Sequence, residues 1–335
     1  MKISILGGGG FLGRKIALRL AASGTLGGRP VTGLTLFDLH EPAALDAPFP
    51  VATVAGDIVD LPGAAIPDGT DVVFHLAAVV SAQAEADYEL GRRVNLRGTD
   101  AVVDACRRLT AAGGKPPRVV FASSVASFSG GQGVTLADDA RQIPANSYGA
   151  QKAAAELILA DASRRGFMDT VSLRLPTVIV RPGRPNKAAS SFFSAILREP
   201  LLGLETELPV PDDFAAWFAS PRSATAWLLH AAAMDTGPLD IAPLGLDRGI
   251  NPPGIATTIG ALLAGLEQVR PGASALVRRV PNAEVAAIVG PWPPAFTPTR
   301  ALRLGFAPHE SVVDLIRAFV ADDLAATRAD RGMTP

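Results

Sequence analysis

The segment that most constrains the fold lies at the start of the chain. A short apolar run, Lys2–Leu6, leads directly into the turn GGGGFLG, and the amphipathic stretch Leu12–Ala22 follows. In a strand–turn–helix unit of this kind one glycine makes the turn and a second lets the backbone approach a pyrophosphate. The third lets the helix pack closely on the strand. We therefore predict that a dinucleotide binds at the amino-terminal end of this first helix.

Strands and helices alternate through the rest of the first half. Apolar runs predict five more strands, at Leu34–Phe37, Val51–Ala55, Val72–Leu76, Val119–Ala122 and Val171–Leu175. Amphipathic stretches predict helices at Asn95–Leu109 and Tyr148–Arg165. This alternation is typical of an α/β fold in which a doubly wound, Rossmann-type parallel sheet carries helices on both faces.

The pattern changes after Arg174, where RLPTVIVRPGRPN predicts a loop. Further elements are predicted in this order: a helix at Pro221–Ala233, a seventh strand of the main sheet at Pro238–Ala242, a helix at Thr257–Val269, a strand at Ala275–Val280 and a helix at Glu310–Thr327. Trp217 and Phe218 are expected to pack inside this region. Residues 1–176, with a return segment at 221–243, are thus predicted to form the nucleotide-binding domain. Residues 177–220 and 244–335 are predicted to form a smaller C-terminal lobe that binds substrate.

Composition excludes several classes of protein. The chain has 31 Lys and Arg against 32 Asp and Glu, so no single-sign field attracts nucleic acid or an anionic membrane. The mean hydropathy is +0.26, but no run of about 18 apolar residues lacks Gly, Pro or a charge, which argues against a membrane segment. With one cysteine, Cys106, and no apparent signal peptide, we expect a cytoplasmic protein without disulfides. No cluster of residues has the spacing of a metal site.

Two carboxylates follow predicted strands of the nucleotide-binding domain. Asp38 lies 25 residues after Gly13, close to the roughly 20 expected for an acid that binds ribose hydroxyls and repels a 2′-phosphate. No Arg follows it, which favours NAD over NADP, although a turn residue at the end of a strand is the simpler alternative. Asp57 is a candidate for the adenine amino group or an ordinary loop carboxylate. His75 is expected to be a histidine of the core or of a strand end.

Tyr148 and Lys152 lie four residues apart on a predicted helix and so project from one face. A free tyrosine is a poor base because its pKa is about 10. An adjacent ammonium stabilises the phenolate and lowers that pKa, which makes the pair suitable for general acid–base catalysis. Such a pair also occurs by chance on exposed helices, so it needs the support of other motifs.

Five motifs agree in order and spacing with one known family. GGGGFLG, HLAA, RVNLRGT, VFASSVASF and the Tyr148/Lys152 pair together resemble the extended short-chain dehydrogenases/reductases, which include the nucleotide-sugar epimerases. The match covers roughly the first 180 residues. It implies that Ser124 hydrogen-bonds the reacting hydroxyl, that Tyr148 is the general acid/base, and that Lys152 holds the nicotinamide ribose. It also implies that Asn95 braces the active site.

The same resemblance implies NAD as the cofactor. The residues that it assigns to NAD are Gly7, Gly10, Phe11, Leu12, Gly13, Asp38, Asp57, Ile58, Leu76, Ala77, Ala78, Asn95, Tyr148, Lys152, Pro176, Thr177 and Val178. One departure is visible, because the epimerases usually carry Val-Tyr-Gly where this chain has Ser127, Phe128 and Ser129. The sugar-side contacts are therefore expected to differ from those of the epimerases.

A second resemblance reaches beyond the shared motifs. Stretches such as LRLPTVIVRPGRPNKAASSFFSAILREPL and IVGPWPPAF are similar to those of a subgroup, the D-erythronate 2-dehydrogenases. This similarity implies the oxidation of a small sugar acid at its 2-hydroxyl. Such a substrate needs a cation for its carboxylate and short polar groups for its hydroxyls. The candidates are Ser81, Gln83, Ser124, Tyr148, Thr177, Arg181, Arg184, Asn186, Lys187, Ser190 and Ser191, with the alternative that any one arginine is only a solvated loop residue.

Other functions stay open at this point. A nucleoside-diphosphate-sugar epimerase or dehydratase with retained NAD shares every core motif, and a dehydrogenase of another hydroxy acid shares the chemistry. A regulatory protein that senses NAD would typically lack the Tyr or the Lys. The family resemblance also implies a homodimer formed through the helices predicted at Asn95–Leu109 and Tyr148–Arg165.

Overall fold

Within the residues that the structure describes, seven parallel strands form the central sheet. A computed structural model describes residues 1–131, 135–184, 190–237, 244–308 and 311–333. The strands are β1 Lys2–Leu6, β2 Thr25–Leu26, β3 Arg29–Pro30, β4 Gly33–Asp38, β5 Val51–Ala55, β6 Thr70–His75, β7 Arg118–Ser124, β8 Thr135–Ala137, β9 Asp169–Leu175, β10 Thr177–Val178, β11 Thr206–Leu208, β12 Ala215–Ala219, β13 Gly249–Ile250, β14 Ile255–Thr258, β15 Val277–Arg279 and β16 Ala295–Thr297.

The main sheet has the strand order β13-β9-β7-β6-β1-β4-β5, and all its neighbours pair in parallel. The chain runs outward from β1 to β4 and β5 and then returns to the other side of β1 with β6. Strand order therefore reverses between β1 and β6, and a crevice opens at the carboxyl ends of these two strands. The predicted doubly wound, Rossmann-type parallel sheet is confirmed.

Helices cover both faces of this sheet. The helices within the described residues are α1 Phe11–Ser23, α2 Ser81–Ala86, α3 Tyr88–Arg92, α4 Gly98–Ala111, α5 Ser147–Arg164, α6 Ser191–Leu202, α7 Pro221–Ala233, α8 Ile259–Val269, α9 Ala283–Val289, α10 Thr299–Arg303, α11 Val312–Asp322 and α12 Leu324–Asp330, and those that cover the main sheet include α1, α4, α5 and α7. Alternate strand residues such as Ile3 and Ile5 pack against α1 and α7. Leu6 and Phe121 belong to the core on the opposite face, beneath α4 and α5. This two-sided burial explains why the strands are apolar runs without alternation.

A second apolar core lies in the C-terminal region. Helices α6, α8 and α11 bury side chains such as Phe193, Leu262 and Phe319 around it. Strand β12 pairs in parallel with β10 and antiparallel with β14. Trp217 and Phe218, both in β12, are buried as expected. Helix α7 contacts α1 and the main sheet, so the chain does return to the first core after residue 220, while the bounds of the two domains stay a prediction.

Several elements differ from the sequence prediction. Asn95 lies in a π-helical turn, Arg93–Arg97, before α4 begins, and its buried side chain bonds to Val79 and Gln151. The region predicted as one helix from Thr257 begins as strand β14, which completes the sheet with β12. The last predicted helix is divided at Asp323 into α11 and α12. The strand predicted at Pro238–Ala242 lies outside the described residues, and the described edge of the sheet next to β9 is β13.

Within the described ranges, every helix is too short or too polar to cross a bilayer. The same part of the chain contains no group of three or more His, Cys, Asp or Glu side chains arranged to hold a metal ion.

Candidate active site

The glycine-rich turn has the backbone geometry predicted for its first and third glycines. Gly7 adopts a positive φ of 92° directly after β1. A Cβ on Gly13 would lie 2.1 Å from the carbonyl oxygen of Gly7, so α1 begins as close to the turn as the backbone allows. Gly10 is the N-cap of α1, and as a glycine it has no side chain that could cap the helix. The N–H groups of the first helical turn are thus not capped by that residue, a feature of helices that bind phosphate.

We expect Gly13→Ala to destabilise the chain by about 1–3 kcal/mol, because the added methyl group overlaps backbone atoms that cannot move independently. Differential scanning fluorimetry should show a lower melting temperature, and nucleotide titration should show weaker binding. Gly63→Ala is the matched control, because nothing lies within 4 Å of a Cβ built there. Equal melting temperatures for the two variants would contradict this interpretation of the turn.

A cleft of about 690 Å³ opens from this turn across the carboxyl ends of β1 and β6. We call it the cofactor cleft. Of the residues that the family resemblance assigns to NAD, those lining it are Gly7, Gly10, Phe11, Leu12, Gly13, Asp38, Asp57, Ile58, Leu76, Ala77, Ala78, Tyr148, Lys152, Pro176 and Val178. Asn95 and Thr177 are not among its lining residues. The cleft also contains Gln83, which the sequence suggested as a substrate contact.

One end of the cofactor cleft is acidic. Asp38 accepts the Gly9 N–H over 3.0 Å and the Leu39 N–H over 2.8 Å, so its carboxylate is held at the rim of the glycine turn. Asp57 accepts the Val59 N–H and pairs with Arg93 over 2.6 Å. The Val59 hydrogen bond contributes most to lowering the pKa of Asp57, and Arg93 lowers it further. The anionic form of Asp57 is therefore stabilised, and both carboxylates line the cofactor cleft.

The catalytic residues predicted from the sequence meet at the other end of the cleft. Tyr148 shares a hydrogen bond with the hydroxyl of Ser124. The Nζ of Lys152 lies 5.6 Å from the centre of the Tyr148 ring and donates to the Ala122 carbonyl over 2.8 Å. Tyr148 and Lys152 project from α5, whereas Ser124 ends β7. The fold thus brings together a hydroxyl donor, a phenol and a buried amine from two elements.

A lysine and an arginine, Lys152 and Arg181, lie near Tyr148. Burial raises the pKa of Tyr148 to about 12, and the cation of Arg181 is the largest influence that lowers it, followed by the Ser124 hydrogen bond. Burial lowers the pKa of Lys152 to about 7, with Glu156 opposing that change. The Arg181 cation therefore stabilises the phenolate of Tyr148, in addition to the neighbouring Lys152. Arg181 is distant in sequence from Tyr148, so only the folded chain brings the two side chains into one pocket.

Asn95 lies behind the site rather than in the cleft. Its Oδ1 accepts the Val79 N–H over 2.8 Å, and its Nδ2 donates to Gln151 Oε1 over 2.7 Å. The amide therefore joins the loop after β6 to helix α5. This geometry is consistent with the bracing role that the family resemblance implies for Asn95.

A buried polar cluster supports α5 and was not found from the sequence. Glu156 receives hydrogen bonds from the Ser123 hydroxyl, from Gln142 Nε2 and from Arg174 Nε. Its ion pair with Arg174 is nearly inaccessible to solvent. The available signal was its spacing, because Glu156 follows Lys152 by one helical turn and so lies on the same face of α5. The cluster holds this face of α5 against β7 and β9.

A smaller pocket of about 80 Å³ adjoins the cofactor cleft at Tyr148. We call it the substrate pocket. It is lined by Val80, Ser81, Ser124, Val125, Ala126, Tyr148, Pro176, Thr177, Arg181, Ser190 and Trp292. Trp292 is not among the site residues predicted from the sequence, although it lies in the stretch IVGPWPPAF, which resembles the subgroup.

The remaining substrate candidates are placed differently. Arg184 is exposed and does not line the substrate pocket. Ser191 begins α6 and is not one of the pocket's lining residues. Asn186 and Lys187 lie outside the described residues. Of the two arginines predicted in this loop, Arg181 is therefore the one beside the catalytic tyrosine.

Two relatives that match this chain over nearly their full length carry the name of a dehydrogenase. It is 44% identical to "D-erythronate dehydrogenase" of Cupriavidus necator, with 96% of this chain and 98% of the relative covered. It is 35% identical to "D-erythronate dehydrogenase" of Haemophilus influenzae, with 97% and 100% covered.

Solved structures give a related result. A "nucleoside-diphosphate-sugar epimerase" from Agrobacterium tumefaciens is 43% identical, has a TM-score of 0.90 and covers 97% of this chain and 95% of its own. A "GalE-like L-Threonine dehydrogenase" from Cupriavidus necator has a TM-score of 0.80 at 19% identity, covers 96% and 99% of the two chains, and supports the fold alone. The sequence pattern of the NAD dependent epimerase/dehydratase family matches residues 3–217. Together with the glycine turn and the Ser124, Tyr148 and Lys152 geometry, this match shows that the chain belongs to the NAD dependent epimerase/dehydratase family.

Proposed function

We propose that this chain is an oxidoreductase that oxidises D-erythronate at its 2-hydroxyl to 2-oxo-D-erythronate and reduces NAD. The observation that carries the proposal is the position of Arg181, whose charge faces Tyr148 in the pocket that Ser124 also lines. A partly buried cation beside the catalytic hydroxyl suits a substrate whose carboxylate is bonded to the reacting carbon. The names and full-length similarity of the two dehydrogenase relatives support D-erythronate as that substrate.

The cofactor cleft fits a dinucleotide. Side chains at Gly7 and Gly13 would collide with the backbone. Their absence lets the main chain of the turn approach a bound pyrophosphate closely. The Arg14 guanidinium donates to the carbonyls of Ala43 and Ala44, which holds it on the neighbouring loop. Asp38 supplies a carboxylate at the rim where ribose hydroxyls would bind. These features favour NAD over its 2′-phosphorylated form.

Asp38→Ser is expected to raise the KM for NAD by about 10-fold or more, because it removes a charged acceptor of hydrogen bonds. It should also narrow the preference for NAD over NADP, since the repulsion of a 2′-phosphate disappears. Initial rates at varied NAD and NADP measure both effects. Asp60→Ser is the control, because Asp60 is an exposed carboxylate on the adjacent turn. An unchanged ratio of kcat/KM for the two nucleotides would refute the role of Asp38.

The chemistry follows from the positions of three side chains. Tyr148, as phenolate, takes the proton of the substrate 2-hydroxyl while the Ser124 hydroxyl donates a hydrogen bond to the same oxygen. Bound NAD supplies the acceptor for the hydride that leaves the substrate C2 carbon. Lys152 stands behind the tyrosine ring, where its ammonium form stabilises the phenolate. Arg181 holds the carboxylate and so orients C2.

The second candidate is epimerisation of a nucleoside-diphosphate sugar. The Agrobacterium relative with a TM-score of 0.90 carries that name, and the catalytic pair serves both reactions. The small volume of the substrate pocket beside Tyr148 favours the four-carbon acid, because a nucleotide sugar requires a long groove. The two reactions differ in their net yield of NADH, since epimerases return the hydride to the sugar.

A substrate panel separates these candidates. Purified protein with NAD would be offered D-erythronate, L-erythronate, D-threonate, UDP-glucose and UDP-galactose while NADH absorbance is recorded and UDP-sugars are analysed by chromatography. We expect NADH to rise with D-erythronate and much less with its stereoisomers. Interconversion of the UDP-sugars without NADH, and no response to the acids, would assign the chain to the second candidate.

We also propose a cytoplasmic homodimer formed through α4 and α5. Leu157 on α5 is 71% exposed, so its side chain is available to pack against a second copy of the chain. Sedimentation analysis should give twice the 34.6 kDa chain mass, and Leu157→Glu should shift the protein toward the monomer. If the parent protein and Leu157→Glu were both monomers, the proposed assembly would be refuted.

A further inference from the structure

A buried ionic cluster joins the end of the chain to helix α6. Glu199 accepts hydrogen bonds from Arg198 Nε over 2.9 Å and from Arg331 Nη2 over 2.9 Å. The side chains of all three residues are almost inaccessible to solvent, with 11% exposure at most. We call these residues the C-terminal clamp. Burying ions is costly unless their geometry and remaining hydrogen bonds compensate, so the other contacts of these two arginines are informative.

Both arginines donate to the loop that carries Arg181. Arg198 Nη1 bonds to the Arg181 carbonyl over 2.8 Å, and Arg331 Nη2 bonds to the Gly183 carbonyl over 2.7 Å. The Arg181 N–H also donates to Ser194 Oγ over 3.1 Å. The main chain on which Arg181 stands is therefore held at two carbonyls by two guanidinium groups that share one carboxylate.

The clamp also adds charge. Two arginines meet one glutamate, so the cluster carries a net positive charge directly behind Arg181. Buried positive charge in excess is compensated when an anion binds in front of it. The clamp therefore favours both the position of the Arg181 side chain and an anionic occupant of the substrate pocket.

We propose that Arg331, acting through the C-terminal clamp, positions Arg181 for the carboxylate of the substrate. Arg331 is then a positioning residue, since it touches the loop backbone and Glu199 rather than the substrate pocket. This inference rests on the proposed function for the identity of the anion, but the contacts themselves do not depend on it.

The first test compares steady-state constants. Arg331→Gln should raise the KM for D-erythronate about 10-fold or more, while kcat changes by less than about twofold and the KM for NAD stays constant. The KM of Arg331→Lys should fall between those of the parent protein and Arg331→Gln, because a lysine keeps the charge but not the paired hydrogen bonds. Arg317→Gln, which removes an exposed arginine of α11, is the matched control and should behave as the parent protein. A fall in kcat and in NAD binding together would indicate general loss of structure and overturn the proposal.

A double-mutant cycle tests whether Arg331 acts through Arg181. In an Arg181→Met background, Arg331→Gln should cause no further rise in KM, since the side chain that it positions is gone. Full additivity of the two substitutions would overturn the proposed route.

Hydrogen–deuterium exchange supplies a readout that needs no substrate. Peptides covering residues 178–184 should exchange faster in Arg331→Gln than in Arg317→Gln, while peptides of α5 exchange equally. This result would support the C-terminal clamp even if D-erythronate were not a substrate. A failure of the proposed function is therefore distinguishable from a failure of the inference. Unchanged exchange at residues 178–184 would overturn the clamp.

Discussion

We expect Tyr148→Phe to lower kcat for D-erythronate oxidation by about 10²- to 10⁴-fold, which is the contribution of a positioned general base. The substitution deletes only the hydroxyl that bonds to Ser124 and faces Arg181, and it leaves the ring beside Lys152. Nucleotide binding should therefore change little. Initial rates of NADH formation measure the first effect, and a fluorescence titration with NADH measures the second.

The chain supplies its own control for this substitution. It has two tyrosines, and the other, Tyr88, is 55% exposed at the start of α3. Tyr88→Phe should have the rate of the parent protein. A near-normal rate for Tyr148→Phe would remove Tyr148 from the mechanism and with it the acid–base assignment.

Arg181→Met is expected to have the second large effect on D-erythronate oxidation. Removing one partner of a desolvated charge pair costs about 2–5 kcal/mol, so kcat/KM for D-erythronate should fall about 30-fold or more. Most of the loss should appear in KM if the interaction is made equally with the bound substrate and the transition state. Arg184→Met is the matched control, because Arg184 is exposed in the same loop. Equal effects of the two substitutions would contradict the assignment of Arg181 as the carboxylate contact.

The same variant should change the pH profile in a defined direction. Burial raises the pKa of Tyr148 to about 12, and the Arg181 cation lowers it. Oxidation needs the phenolate, so the rate rises as pH rises through the pKa of Tyr148. Without the cation that pKa is higher, and the rise in kcat/KM should move to higher pH in Arg181→Met but not in Arg184→Met. A shift to lower pH would contradict the electrostatic role of Arg181.

Local sequence patterns predicted the features that depend on neighbouring residues, such as strand bounds, turns and the faces of helices. The bounds of β1 and β5 match the prediction, and the glycine turn follows because only glycine adopts a φ of 92° readily at position 7. Tyr148 and Lys152 share a face of α5 because helical periodicity requires it. The family resemblance added Ser124, which comes from a distant part of the chain.

The features that the sequence did not predict depend on long-range packing. Arg181 and Arg184 are equivalent as loop arginines, and only the fold places the first beside Tyr148. Glu156 appears as an ordinary helical glutamate until β9 brings Arg174 against it. Strand β13 has two residues, too few for a periodic signal, and its pairing with β9 makes it part of the sheet.

The most direct test of the proposed reaction uses D-erythronate that carries deuterium at C2. Purified protein is incubated with this substrate and NAD, and mass spectrometry then determines the isotope content of the nucleotide and of the acid. We predict one deuterium in the reduced nucleotide, none in the 2-oxo acid, and loss of both products in Tyr148→Phe. Reduced nucleotide without deuterium, or deuterium retained in an oxidised acid, would show that the hydride leaves another carbon and would contradict oxidation at the 2-hydroxyl.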